Sequence, residues 1–426
     1  MLLKWQVQRL LHQMRHSLAA PSRSPRTAVV IGRLLATAFL LCFATGLYSH
    51  FIQDPLPGMQ FLTRPVWLYQ VSQGVHITSG ILCFPLIFAK LYAVFPELFQ
   101  SPPVRSFPHF LERASIALFV AASLVQITIG LLNTYQWYAL FPFPFRQTHY
   151  ALSFVVIGSL AIHIAVKLST ITQYWRKSPT NYDEDADDPD ATFDVPDELR
   201  RLTGRRQAAG VTGKIFTWID KTPATTQPQT SRRGFFATVS IAAAALVTLT
   251  AGQSFRVFDA TNLFAPRKND TGPQGLPVNR TAKKAKVLES ATSPDWRLTV
   301  LNGTSSNSFT YAQLRALPQH EVELPIACVE GWSQYATWKG PRLSDLVDTV
   351  NAPASATVKI TSLEENSSYA VTRMQPNFVR DELTLVALEL NGETLDIDHG
   401  YPARVIAPAR PGVLQTKWLS SLEVLS

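Results

Sequence analysis

The chain is short of charge: Asp, Glu, Lys and Arg make up only 16% of its 426 residues, against about 25% in an average soluble domain. Twenty-nine prolines and a mean hydropathy of only +0.05 exclude a wholly membrane-embedded transporter, so the deficit is concentrated in part of the chain. The length gives a prior of about two to three domains. Cysteine is scarcer still. Three thiols, Cys42, Cys83 and Cys328, exclude a disulfide framework. Cys42 and Cys83 lie in apolar runs, where a thiol packs as a small hydrophobe. Cys328 stands alone in polar sequence, as packing, nucleophile or metal ligand. The net charge of +8 is not gathered on one aromatic-interleaved stretch, which excludes nucleic acid as the partner and leaves a membrane.

What is present explains the deficit. Runs free of Asp, Glu, Lys and Arg occur at 34–53, 65–89, 114–145, 147–166 and 234–255, each reaching about the 20 residues a helix needs to cross hydrocarbon. Nothing after Arg256 does. Basic residues are held on the cytoplasmic side, and residues 1–33 carry six of them (Lys4, Arg9, Arg15, Arg23, Arg26, Arg33) and no acid. The loops after the first and third runs hold only Arg64 and Arg146, whereas that between the second and third holds Lys90, Arg105 and Arg113. The N-terminus is expected inside and, after five spans, the C-terminal domain outside. Tyr135, Trp137, Tyr138, Phe141 and Phe143 are expected as an interfacial belt. His16, His50 and His109 fall at or beyond the ends of the runs.

Between the fourth and fifth runs, residues 176–233 carry ten acids and ten bases, a pattern of a solvated tether. It ends in Ser231-Arg232-Arg233-Gly234-Phe235-Phe236 before an alanine-rich run. This resembles a twin-arginine export signal, a receptor-read address. No small-residue cleavage site follows, so it is expected to remain as an anchor. The bland alternative is two positive-inside arginines. Export of folded protein implies a cofactor inserted in the cytoplasm.

From about residue 283 short β-like runs with turn punctuation predict an α+β, mainly β, domain, with helices at 311–316 and 343–350. Three blocks stand in order: Pro325-Ile326-Ala327-Cys328-Val329-Glu330-Gly331-Trp332-Ser333, then Trp338-Lys339-Gly340-Pro341-Arg342-Leu343, then Leu390-Asn391-Gly392 leading to His399-Gly400-Tyr401-Pro402-Ala403-Arg404, Pro411-Gly412 and Lys417-Trp418-Leu419. Together they resemble the molybdopterin-binding domain of the sulfite oxidase family, which includes bacterial periplasmic molybdenum methionine sulfoxide reductases. The resemblance implies that Cys328 binds molybdenum as a thiolate beside a single pterin dithiolene, and that His399, Arg404 and Lys417 hold the pterin phosphate, with Asn279 and Arg280 in the same pocket. Thiolate is a soft ligand suited to such a centre, and arginine offers phosphate a planar fork. Trp332, Trp338 and Trp418 are expected in the core. Arg342 and Arg373 are either anion ligands for the substrate or surface charges.

Ionisable groups within a bilayer are costly and point to function. His149 and His163 are fourteen residues apart on the fourth run, which puts them on one helix face roughly 21 Å apart along the axis. His76 lies at a depth like that of His149. The spacing resembles the membrane b-type cytochrome subunits of formate dehydrogenases and nickel hydrogenases, which implies an outer haem b held by His76 and His149. His163 would serve a second haem but lacks an obvious partner.

The expected organisation is a basic cytoplasmic N-terminus (1–28), an all-α four-helix membrane bundle (29–168), a charged linker (169–233), a fifth transmembrane helix (234–255), a second linker (256–282) and the molybdopterin domain (283–426). The expected function is a bacterial cell-membrane molybdopterin oxidoreductase. It would exchange electrons between quinone or another carrier and an outer site that transfers oxygen to or from sulfite or an S- or N-oxide. The twin-arginine export machinery and the lipid bilayer are its other partners. The alternatives are a methionine sulfoxide-type reductase specifically, or a receptor or scaffold retaining the fold without catalysis.

Overall fold

A computed structural model of the chain describes residues 18, 20–99, 104, 106–139, 143–175, 214, 231–365 and 367–425. Phe141, Arg105, His16 and almost all of the charged tether therefore lie outside the described residues. Five helices are long and apolar enough to cross a membrane: α1 (Pro25–Gln53), α2 (Leu68–Val94), α3 (Phe107–Thr134), α4 (Phe145–Val166) and, after a short α5 (Leu168–Trp175), α6 (Arg232–Thr250).

The helices do not coincide with the charge-free runs, because charge marks hydrocarbon whereas caps mark helix ends. α1 begins well before 34, behind Ser24, whose Oγ accepts from Thr27 N at 3.3 Å. Arg26 and Arg33 are good helix formers and sit inside it. α3 likewise starts behind Ser106, whose Oγ accepts from His109 N. It stops at Thr134, short of 145, because Gln136 turns to φ 55, a left-handed conformation that ends a helix. The aromatic residues after it occupy a loop, where Tyr135, Trp137, Tyr138 and Phe143 are exposed. In α6 the serine of the twin-arginine block is the N-cap, its Oγ accepting from Gly234 N at 3.1 Å.

The C-terminal part is mainly β, with four short helices α7 to α10 at Ala282–Ala285, Leu288–Thr292, Tyr311–Ala316 and Leu343–Asp348, and α11 at Pro376–Val379. Its first sheet runs in the order β2-β1-β11-β5-β6, from β1 (Leu298–Asn302), β2 (Ser305–Phe309), β5 (Thr357–Ser362), β6 (Val371–Met374) and β11 (Leu419–Leu425). Only β1 and β11 pair in parallel there. A second sheet, order β3-β4-β8-β9, joins β3 (His320–Ala327), β4 (Ser333–Gly340), β8 (Glu389–Leu390) and β9 (Glu393–Thr394). A third pairs β7 (Leu385–Ala387) with β10 (Arg404–Ile406). Alternation of buried and half-buried positions along β5 is the period-2 signature of a strand with one face on a core. Leu276, from the stretch 256–282, is fully buried with Leu324 and Trp338 in the core of the second sheet.

Two compact units divide the chain, and both interrupt the helices. One comprises the residues up to Thr37 together with Cys83–Val125 and Phe154–Ala243. Within it Ile31, Ala89 and Phe235 form a small core, Phe235 stacking on Tyr92 with centroids 5.1 Å apart. The other comprises Ala38–Leu82, Gln126–Ser153 and Ala244–Ser426, so it joins parts of five helices to the whole β domain. Both candidate sites of interest lie in this second unit.

Candidate active site

Cys328 follows β3 in the turn that leads into β4. The turn closes on itself through Cys328 N to Trp332 O at 2.8 Å and Gly331 N to Cys328 O at 3.0 Å. Gly331 has φ +100, a conformation glycine adopts without the penalty that a Cβ would carry. The result is a buried thiol aimed at two donors: Asn279 Nδ2 at 2.6 Å and Glu330 N at 3.4 Å. Asn279 is itself fixed by Trp332 Nε1, which donates to its Oδ1 at 2.6 Å. Burial first, and then the Glu330 carboxyl, push the Cys328 thiol well above its ordinary range. A thiol so raised is a poor nucleophile. A metal ion would displace its proton, and the two N–H donors would then face a thiolate.

The sulfur opens into a cavity of about 150 Å3 that also gathers Asn279, Arg280, His399, Arg404 and Lys417. All six residues expected at the pterin site, drawn from positions 279 to 417, thus line one cavity. His399 ends a short 3-10 turn, Ile397–His399, whose αL residue Gly400 is packed against Lys417 and Arg404. Its Nε2 donates to Pro273 O at 2.8 Å. Burial, then Arg404, lower its pKa to about 4, so the ring is neutral at physiological pH. Arg404, on β10, is buried over the Trp338 ring at 4.9 Å. It donates to His399 O and Gln415 O, and its Nε is buried with no hydrogen-bond partner. Lys417 Nζ donates to Arg280 O at 2.6 Å and Asp398 O at 2.8 Å. Burial, then Arg404, bring its pKa down to about 7. Arg280 pairs with the buried Glu364 carboxylate.

Buried cations of this kind are costly unless an anion joins them. Arg404 meets two carbonyls and the Trp338 ring but no carboxylate among the described residues, and Lys417 is pulled toward its neutral form. A phosphate placed here would supply the missing charge and accept the free donor, so the donor set fits a phosphate-bearing pterin beside a thiolate-bound metal.

Trp332, Trp338 and Trp418 are core residues as expected, and Trp332 and Trp418 also line the cavity. Of the two alternatives for Arg373 and Arg342, Arg373 is exposed on β6 and Arg342 stands at the start of α10, and neither residue lines the cavity. Tyr369, Glu364 and Gln415 line it without any motif having marked them. Tyr369 sits in a loop whose polar composition gave no periodic signal, and its hydroxyl donates to Gln53 Oε1 at 3.1 Å.

A second constellation lies on the helices of the same unit. The His76 and His149 rings have centroids 6.2 Å apart at an interplanar angle of 71°. His76 Nδ1 donates to Cys42 O at 2.8 Å, which fixes the ring and leaves Nε2 for a metal. Glycines open the space: a Cβ at Gly46 would sit 2.9 Å from His76 Cε1, and one at Gly130 3.5 Å from His149 Cε1. His76 and His149 are the residues that would hold a haem iron between these helices, and the iron would supply electron transfer there. His163 belongs to the other unit, where its Nδ1 is buried without a hydrogen-bond partner.

Comparison with known proteins agrees with the cavity. The family described as "Oxidoreductase molybdopterin binding domain" matches residues 284–426. Sulfite oxidase of Arabidopsis thaliana is 29% identical over 147 residues, covering 26% of this chain and 37% of that protein. The protein-methionine-sulfoxide reductase catalytic subunit MsrP of Burkholderia mallei is 28% identical over 137 residues, covering 29% of this chain and 41% of its own. A putative protein-methionine-sulfoxide reductase subunit, YedZ1 of Azospira oryzae, is 27% identical over 121 residues, covering 28% of this chain and 45% of its own. The chain thus spans less than half the length of each of these relatives. Residues 284–426 are a molybdopterin-binding oxidoreductase domain.

Proposed function

We propose that the chain is a membrane-bound molybdenum-cofactor oxidoreductase, exchanging electrons between a membrane carrier and an extracytoplasmic site of oxygen-atom transfer. The observation that carries this reading is the single cavity that joins the Cys328 thiol to Arg404, Lys417 and His399. The substrate is sulfite, as the name of one relative suggests, or an S- or N-oxide such as methionine sulfoxide, as others suggest.

In this reading Cys328 holds the molybdenum, and Asn279 and the Glu330 N–H steady the charge on its sulfur. Arg404 and Lys417 bind the pterin phosphate, Arg404 with the planar fork, and the neutral His399 ring and Arg280 border them. The metal, when bound, supplies the oxygen-atom chemistry, and the protein positions it and tunes its electronics. The buried Trp332 and Trp418 rings that line the cavity lower the local dielectric, which strengthens each of these electrostatic contacts. His76 and His149 hold a haem b that passes electrons to or from quinone, and His163 is the candidate for a second haem. Arg232 and Arg233 address the chain to twin-arginine export, leaving α6 as an anchor, the N-terminus inside and five spans in a bacterial cell membrane.

The deciding experiment is molybdenum, pterin and haem analysis of the purified chain, with turnover assayed on sulfite and on methionine sulfoxide. One molybdenum and one pterin per chain, both lost in Cys328→Ser, are expected. Absence of molybdenum would leave a receptor or scaffold that kept the fold, and occupancy indifferent to that substitution would overturn Cys328 as the ligand on which the catalytic reading rests. Replacing Arg232 and Arg233 by Lys should leave the C-terminal domain protected from external protease in sealed cells. Its continued arrival outside would sink the export reading.

A further inference from the structure

The turn carrying Cys328 is held from outside the β domain. Gln73 Nε2, on α2, donates to Val329 O at 3.1 Å, and Gln70 Nε2 donates to Ser333 Oγ at 2.9 Å. Gln136, just after α3, donates to Glu330 Oε1 at 2.7 Å. Gln253 and Ser254, just after α6, complete the grip: Ser333 N donates to Gln253 O at 2.8 Å, and Ser254 Oγ donates to Gly331 O. All of these residues belong to one compact unit.

The closest approach is made at Gly331. A Cβ there would lie 3.0 Å from Ile77 Cγ1 and 3.2 Å from Gln253 Nε2, so only a glycine lets the backbone of the turn lie directly on α2. At about 100° per residue, Gln70, Gln73, Gly74 and Ile77 form one stripe of α2, and His76 is turned about 100° from Ile77. One stripe therefore seats the thiol turn, while the neighbouring face presents His76 toward Cys42, Gly46 and His149.

We propose that α2 is the electron connection between the two redox sites within a single chain, with the Ile77–Gly331 contact as the crossing point and Gln73 as its positioning residue. The proposal rests on the functional reading above. For an S-oxide substrate, a quinol is oxidised to the quinone, releasing two electrons and two protons. The electrons cross one at a time, the S–O bond breaks, the substrate is reduced to the sulfide, and its oxygen leaves with the two protons as water. With sulfite the balance reverses: water supplies the oxygen, sulfate forms, and two electrons pass to a quinone. Electron tunnelling weakens steeply with distance and across gaps, so a backbone packed directly on the helix beside His76 is an efficient junction.

The test uses the full chain in detergent. The haem is reduced by a short flash of a photochemical donor with an S-oxide present, and its reoxidation is followed at its Soret band; with sulfite the haem is instead flash-oxidised and its re-reduction followed. Wild type should reoxidise at a rate independent of protein concentration, and Cys328→Ser should not reoxidise on that timescale. Gln73→Leu and Ile77→Gly should each slow the step several-fold. They should also lower the ratio of quinol-driven to dye-driven turnover, a ratio that a general loss of folding would leave in place. Enhanced relaxation of the molybdenum electron-spin signal by the oxidised haem gives a readout of proximity independent of turnover, and should weaken in Ile77→Gly. Reoxidation that scales with protein concentration, or rates unchanged in both variants, would overturn the proposal while leaving the haem and molybdenum assignments intact. A purified chain with no Soret band would instead overturn the haem reading on which it rests.

Discussion

In the proposed reading, the Cys328 cavity and the His76–His149 pair would serve metals by opposite physical means. The cavity sets charged groups among apolar walls and is built from loop and strand ends, with a sulfur facing two N–H donors and with the buried Arg404 and half-buried Lys417 held at an energetic cost that an anion would relieve. The histidine pair is built from regular helix positions, where glycines supply space and one backbone carbonyl fixes a ring. The first site is incomplete without a charged partner. The second needs only a flat group that fits between two rings. In that reading the first site is set by electrostatics and loop geometry, and the second by spacing and small residues.

The sharpest way to separate the two is Cys328→Ser. Turnover should fall by more than the roughly 10–100-fold typical of losing an outer-shell partner, and molybdenum should disappear, while the haem spectrum is unchanged. A variant that kept its molybdenum would break the comparison. The reciprocal change, His149→Ala, should abolish the Soret band and quinol-driven turnover while molybdenum content stays at the wild-type level.

A smaller effect tests the electrostatic side. In pterin-free protein the Lys417 pKa is lowered to about 7, below the ordinary lysine value of about 10.4. A depressed folded pKa means that stability is fully present above the ordinary value and is lost as pH falls from there toward the folded one. The pterin-free melting temperature should therefore drop by several degrees between about pH 10 and pH 7. Lys417→Met should flatten that slope, and loading with pterin, whose phosphate pairs with the ammonium, should do the same. The smallest effect is expected at the surface. Arg64 donates to both oxygens of Asp381, at 2.7 and 3.0 Å, but its side chain is 44% exposed. Because the Asp381 carboxylate is only 7% exposed, Arg64→Ala should cost somewhat more than the roughly 1 kcal/mol of a fully screened pair, read from the shift in stability on denaturation, and a loss of several kcal/mol would show that the loop between α1 and α2 stabilises the domain beyond this pair.

Much of this was legible because the signals were of two robust kinds. Charge-free runs of membrane length survive any detail of packing, and five apolar helices are found where five runs were read. Their ends were less legible. Caps at Ser24 and Ser106 and the left-handed Gln136 decide them, and none of these alters the hydrophobic pattern. In the β domain, ordered blocks around Cys328, His399, Arg404 and Lys417 identified the pocket because each block combines a turn residue with a charged or sulfur-bearing one. Tyr369 and Glu364 escaped notice, since a loop residue reaches a cavity through the path of the backbone and carries no periodicity of its own.

The amino-acid order by itself determined which segments are apolar, that a lone cysteine stands in a molybdopterin-domain block, and that His76 and His149 fall on separate hydrophobic runs. Hydropathy and local turn chemistry are short-range properties, written in adjacent residues. Only the tertiary structure decided that six residues spread from 279 to 417 share one cavity. It alone put two imidazoles 6.2 Å apart and seated the Cys328 turn on the helix that carries His76. Those are contacts between residues tens to hundreds of positions apart, and they exist only once packing has brought separate helices and strands together.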